Sequence, residues 1–251
     1  MLDSLKSWHA YFTKNRAKPT EINWDAPDSL TADERICIKD SIAAFQLGEY
    51  SEGKGLMKAA GAYAARSGDD LLVPITKLFI AEEQNHALLL KSFMNIHDIP
   101  LMKKNWTDDV FRRMRKNVGY ELSITVLIMA EIISLVYYRA LRRATNSKLL
   151  RAICDKILSD EAAHVRYESE VIDHIRSSKP AAARWATESL HRFLFFGTTI
   201  VVYLNHKRVL NRGGCGFYDF CAACWAEFSI IGEGRAQKRL PAEATVESVN
   251  R

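Results

Sequence analysis

Glycine and proline are scarce in this chain, 12 and 6 in 251 residues, and that scarcity excludes a collagen-like architecture and leans toward helix. Cysteine is scarcer still. Five thiols, an odd number, exclude a disulfide scaffold and fit a reducing cytoplasm. An excess of one charge is also missing: 35 Lys and Arg stand against 30 Asp and Glu, and a dispersed net charge of +5 names no nucleic-acid partner. No apolar run is both long and clean enough for a bilayer, since 122–138 is interrupted by Glu131 and 193–204 is too short. Met1 to Lys18 carries Asp3, Lys6, His9, Lys14 and Arg16, without the apolar stretch of a signal peptide. What is plentiful is hydrophobic side chain, 48% of residues, enough to bury a sizeable core and to exclude disorder over the whole chain. The expectation is a cytoplasmic protein with no membrane span, monomeric or homodimeric.

Apolar residues recur at steps of three and four, and no segment alternates with period two. Thr31-Ala32-Asp33-Glu34 has the form of a capping box, a hydroxyl with a carboxylate three residues on, and opens a helix expected to run to Arg66. Ser67-Gly68-Asp69-Asp70 ends it. Further helices are expected over 71–96, 108–144, 149–177, 181–210 and 218–230, with Pro74 in a first turn, where a missing N–H costs nothing. Residues 1–30 read as a mixed extension anchored by Trp8, Phe12 and Trp24, and 233–251 as a polar, disordered tail. The expected fold class is all-α, with a core over 31–178 and C-terminal helices over 179–232.

A weak internal repeat organises that core. A shift of 78 positions lays His86 on His164, Glu83 on Glu161, and the turn 67–69 on 145–147. Two helix pairs related this way make an antiparallel four-helix bundle with pseudo-twofold symmetry. The second helix of each pair carries Glu-x-x-His, in Glu83 to His86 and Glu161 to His164, so that a carboxylate and an imidazole share one face. Glu131 stands alone among Ile128, Met129, Ile132, Ile133 and Leu135, where an unpaired carboxylate is costly unless compensated, and a metal ion would compensate it. The first helix offers Glu49 or Glu52 on one stripe. The repeat sets Glu52 at the nearest level along the axis and is preferred on that ground; Glu49, closer in angular phase, is the substitute or a seventh carboxylate. A reset or π-bulged first helix would favour Glu49. Carboxylates with imidazoles and no thiolate suit iron(II) or manganese(II).

This pattern resembles the ferritin-like di-iron carboxylate superfamily. The spacings, 31 residues from Glu52 to Glu83 and 30 from Glu131 to Glu161, suit two antiparallel helices and a turn. The strings Phe45-Gln46-Leu47-Gly48-Glu49, Ala81-Glu82-Glu83-Gln84-Asn85-His86-Ala87 and Asp160-Glu161-Ala162-Ala163-His164-Val165 are similar to an uncharacterised bacterial ferritin-like family. The resemblance implies a ferritin-like antiparallel four-helix bundle with two additional C-terminal helices. It also implies two Fe ions (or Mn, or mixed Mn/Fe) bridged by Glu83 and Glu161, capped by His86 and His164, with Glu52 and Glu131 terminal.

The function expected is an O2- or peroxide-activating oxidase or oxygenase, acting on a small apolar substrate with an external electron donor. Phe193, Phe195 and Phe196 are offered as lid or wall of a substrate pocket. Two alternatives stay open: peroxide scavenging or iron oxidation without an organic substrate, and a metal-free helical scaffold with a proton-sharing polar core. Cys221-Ala222-Ala223-Cys224 lacks the second pair that a four-Cys metal site needs, Cys215 being the only nearby thiol, and reads as small residues packed in a helix. The basic cluster of Arg112, Arg113, Arg115, Lys116, Arg142 and Arg143 reads as a solvated helix face. His97, His174, His191 and His206 read as surface or structural.

Overall fold

The computed structural model describes residues 2–18, 22–50, 53–107, 110, 113 and 118–232. All regular structure among them is helical: α1 (Leu2–Ala17), α2 (Ala32–Glu49), α3 (Lys54–Ser67), α4 (Leu72–Ile96), α5 (Tyr120–Ala144), α6 (Lys148–Ser177), α7 (Ala181–Arg212) and α8 (Phe217–Gly232).

Local chemistry sets most of the boundaries. The capping box at α2 forms in full, with the Glu34 backbone N–H donating to Thr31 Oγ1 at 3.2 Å and the Thr31 N–H donating back to Glu34 Oε2 at 3.0 Å. Glu34 is also tertiary: its second oxygen accepts from the Asn146 N–H at 2.7 Å, tying the start of α2 to the α5–α6 turn. In that turn Ser147 caps α6, accepting from the Leu150 N–H at 3.0 Å.

Three boundaries differ from the sequence reading. The helix expected over 31–66 is two helices. α2 stops at Glu49, Tyr50 is extended, and α3 begins after Gly53 in the left-handed region at φ 65°. Only glycine suits Gly53: a Cβ there would also collide with the side chain of Ile80 on α4. The helix expected over 108–144 is interrupted at Gly119, which is extended at φ −66°, ψ 164°, so that α5 starts at Tyr120; Val110 and Arg113 before it are helical, and Asp108 lies outside the described residues. The opening extension contains α1, whose Leu5, Trp8 and Phe12 are buried, whereas Trp24 is exposed. The segment 233–251, expected as a tail, lies outside the described residues.

α4 packs on α1, α2, α3 and α6, and α5 packs on α3, α6, α7 and α8. Covered on several sides, α5 is apolar nearly all round, as a buried helix must be. Among the described residues it is the helix long and apolar enough to cross a membrane, and 89% of its most apolar window is buried inside the protein. α7 lies against α2, α5 and α8. The consequence for function is that the inner faces of α2, α4, α5 and α6 meet around a set of acids and imidazoles.

Candidate metal centre

Two overlapping groups of side chains lie together in the interior. One is Glu49, Glu83, His86 and Glu161; the other is Glu83, Glu131, Glu161 and His164, and within each the inner donor atoms all lie within 4.8 Å of one another. Glu83 and Glu161 belong to both. Each helix contributes what its register allows: α4 and α6 an i, i+3 acid and imidazole, α2 its last residue Glu49, and α5 the isolated Glu131. Glu52, preferred in the sequence reading, lies outside the described residues, and the carboxylate that α2 brings to the centre is Glu49. The level comparison that favoured Glu52 assumed one unbroken helix through position 53, and the break at Gly53 removes that premise.

The imidazoles are held from behind by acids absent from the sequence reading. His86 Nε2 donates to Asp160 Oδ2 at 2.9 Å, and His164 Nε2 donates to Glu82 Oε2 at 2.9 Å. The exchange is reciprocal, since the acid before each Glu-x-x-His motif holds the histidine of the other. The same 78-residue shift lays Glu82 on Asp160, and that was the available signal. Behind this pair, the side-chain amide of Asn15 on α1 donates to Glu82 Oε1 at 2.8 Å and to Asp160 Oδ1 at 3.1 Å. Lys156 Nζ reaches both oxygens of Asp160 at 2.6 Å. Phe12 and Phe79 pack on the His164 ring. Nothing in the sequence pointed to Asn15.

With Nε2 committed to a carboxylate, Nδ1 of each ring faces inward. His164 Nδ1 lies 3.1 Å from Glu83 Oε1 and 3.2 Å from Glu161 Oε2. His86 Nδ1 lies 3.4 Å from Glu161 Oε1, 3.6 Å from Glu83 Oε1 and 4.0 Å from Glu49 Oε2. Those His86 approaches are ion-pair distances, not formed hydrogen bonds: His86 Nδ1, Glu83 Oε1 and Glu161 Oε1 are buried without a hydrogen-bond partner. Buried polar atoms are rarely left so, and these three converge. Tyr138 on α5 steadies the α2 member, its phenol donating to Glu49 Oε1 at 2.6 Å.

Burial and mutual charge set the proton affinities within the cluster. Burial, then the charges of Glu83 and Glu161, raise Glu49 well above the ordinary carboxyl range. Burial, then Glu161 and Glu83, raise Glu131 in the same way. Burial would raise Glu161 too, but its interactions with Glu131, His164 and His86 override it and hold that carboxyl low. For both imidazoles burial opposes the charge and loses. Asp160, Glu161 and Glu83 raise His86, and Glu161, Glu82 and Glu83 raise His164. Asp160 falls to about 2 against its burial, through His86 and Lys156. The donor set is carboxylate oxygen and imidazole nitrogen, which together could hold a metal ion.

Other expected features lie away from the centre. Phe193 and Phe196 are exposed, and Phe195 is buried against Phe228, so the three do not form one wall. Cys215, Cys221 and Cys224 are free, with thiols raised by burial. Arg142 pairs with Asp155 at the surface, while Arg112, Arg115 and Lys116 lie outside the described residues. His97 pairs with Asp28 at 3.0 Å, and His191 and His206 are buried. Compared with known proteins, the chain matches no family model, no curated protein and no solved structure.

Proposed function

We propose that this chain is a di-metal carboxylate protein, its α2, α4, α5 and α6 forming a ferritin-like four-helix bundle around two iron or manganese ions. Glu49 with His86 would hold one ion and Glu131 with His164 the other, with Glu83 and Glu161 shared between them. The observation that carries this reading is the convergence of His86 Nδ1, Glu83 Oε1 and Glu161 Oε1, buried and without hydrogen-bond partners. When bound, such a pair of ions supplies redox chemistry toward O2 or peroxide, and the activity proposed is an oxidase or oxygenase served by an external electron donor.

The chain's own residues account for the rest. Four carboxylates offset the repulsion between two divalent ions. Asp160 and Glu82 keep the N–H of each imidazole on Nε2, so that the Nδ1 lone pairs face inward. Burial excludes bulk water from all six groups save a partly exposed Glu83. The apolar side chains around Glu131, among them Ile128 and Ile132, suit a small apolar substrate better than a charged one.

Metal analysis tests the reading. Protein reconstituted anaerobically with Fe(II) or Mn(II) should hold about two ions per chain. No retained metal under either condition overturns it, and leaves a proton-sharing polar core between Glu131 and Glu161 as the account of the same residues.

A further inference from the structure

Among the described residues, the outer face of α7 has no partner. Trp185 is 71% exposed, Leu190 54%, Phe193 75%, Phe196 56% and Leu204 59%. These residues share one side of the helix, since α7 turns its other side, through Phe195, Thr199, Val202 and Val209, to the protein interior. Together they expose roughly 600 Å² of apolar surface, the upper end of what a monomer carries as its largest patch.

Gly197 sits in the middle of this stripe. A Cβ built there would meet nothing within 4 Å among the described residues. A glycine inside an exposed helix costs about 1 kcal/mol relative to alanine, and here the monomer gains no close approach in return. At a helix crossing it does gain one, because interaxial distance follows the side chains at the contact.

We propose that α7 pairs with α7 of a second copy, antiparallel about a two-fold axis at Gly197. The stripe matches itself in that arrangement. Leu190 and Leu204 lie seven residues either side of Gly197 and oppose each other across the interface; Phe193 and Val201, four either side, do the same. The exposed Lys207 and Arg208 arrive beside the second copy's Trp185, a cation-over-ring arrangement, whereas a parallel pair would bring like charges together. Complete burial of two such faces would remove roughly 1,200 Å² from water, the lower bound for a stable specific interface.

Sedimentation velocity on the full chain, from about 1 to 100 μM, tests it. The expected species is a dimer of the 28.5 kDa chain. Phe193→Glu and Gly197→Leu should each give monomer with unchanged far-UV circular dichroism, because neither side chain packs inside its own chain. Mixing Leu190→Cys with Leu204→Cys protein should yield an oxidative cross-link that neither variant forms alone. A wild-type monomer throughout the range overturns the pairing, as does a dimer indifferent to both surface substitutions. A monomer that binds phosphatidylglycerol vesicles through α7 also overturns it, and assigns the face to a lipid surface instead.

Discussion

Removing the acid behind one imidazole should weaken one metal position and spare the other. In Asp160→Ala, His86 loses the acceptor 2.9 Å from its Nε2, while His164 keeps Glu82. Two effects then act on His86. The ring is free to carry its proton on Nδ1, the atom facing Glu49, Glu83 and Glu161, and it loses the charge-assisted hydrogen bond that increases its basicity. Such a hydrogen bond contributes about 1.5–3 kcal/mol, which corresponds to roughly 10- to 100-fold in affinity. Anaerobic calorimetric titration with Mn(II) should therefore show one binding phase weakened by about that factor and the other within about threefold of wild type. Glu82→Ala should weaken the opposite phase, through His164. Lys156, left without Asp160, is partly exposed and can turn to solvent, so the first substitution strands no buried cation. Equal weakening of both phases, or none in either variant, would refute the idea that each histidine serves its own ion.

In the metal-free protein, the raised imidazoles of His86 and His164 stabilise the native state most below their ordinary value of 6.5, and that contribution is lost as pH rises through their folded values. Glu49 and Glu131, raised from 4.5, have the same sign. Urea midpoints of metal-free protein should accordingly fall from pH 6 to pH 8, while metal affinity rises over the same interval because the ligands must shed protons; a flat or opposite trend in either counts against the assignment. Glu131→Gln retains an amide donor for Glu161, so metal-free stability should stay within about 1 kcal/mol of wild type while binding at the His164 position is lost. Retention of both ions would remove Glu131 from the ligand set. Gly53→Ala should cost about 1–3 kcal/mol, read as a lowered melting temperature, since both its φ of 65° and Ile80 oppose a side chain. An unchanged melting temperature would mean that the α2–α3 junction adapts.

Much of the helical frame was legible because a buried stripe at steps of three and four can be satisfied in few ways. Glu83, His86, Glu161 and His164 announced themselves by repetition, and Glu131 by its isolation among apolar neighbours. The end of α2 was not legible. Gly53 within a helical pattern reads as a tolerated residue until Ile80, 27 positions on, is seen to occupy the space of its Cβ. That break is also why Glu49, the last residue of α2, reaches the centre. Glu82 and Asp160 stood beside the motif with no role assigned to them. Their role depends on each acid crossing to the opposite helix, which periodicity along one helix does not encode. Asn15 belongs to a helix remote in sequence from both of its partners, and α1 itself carried too little patterning to be read.

The bridge from Asn15 also bears on the order in which the fold is expected to assemble. Helical proteins are ordinarily rich in local contacts, yet the histidine–acid pairs here join residues 74 and 82 apart, and the Asn15 bond to Asp160 spans 145. Trp8 and Ser4 reach Glu170 across still longer separations, 162 and 166. Doubling a loop from the first of these lengths to the third adds about 0.6 kcal/mol of closure entropy, and α1 recovers it only by docking on surfaces that α4 and α6 have already made. Of the helices described, α1 is therefore the one expected to seat last. On that order, Glu82 Oε1 would stay without its Asn15 partner until α1 docks, leaving the interior open longest on the α1 side.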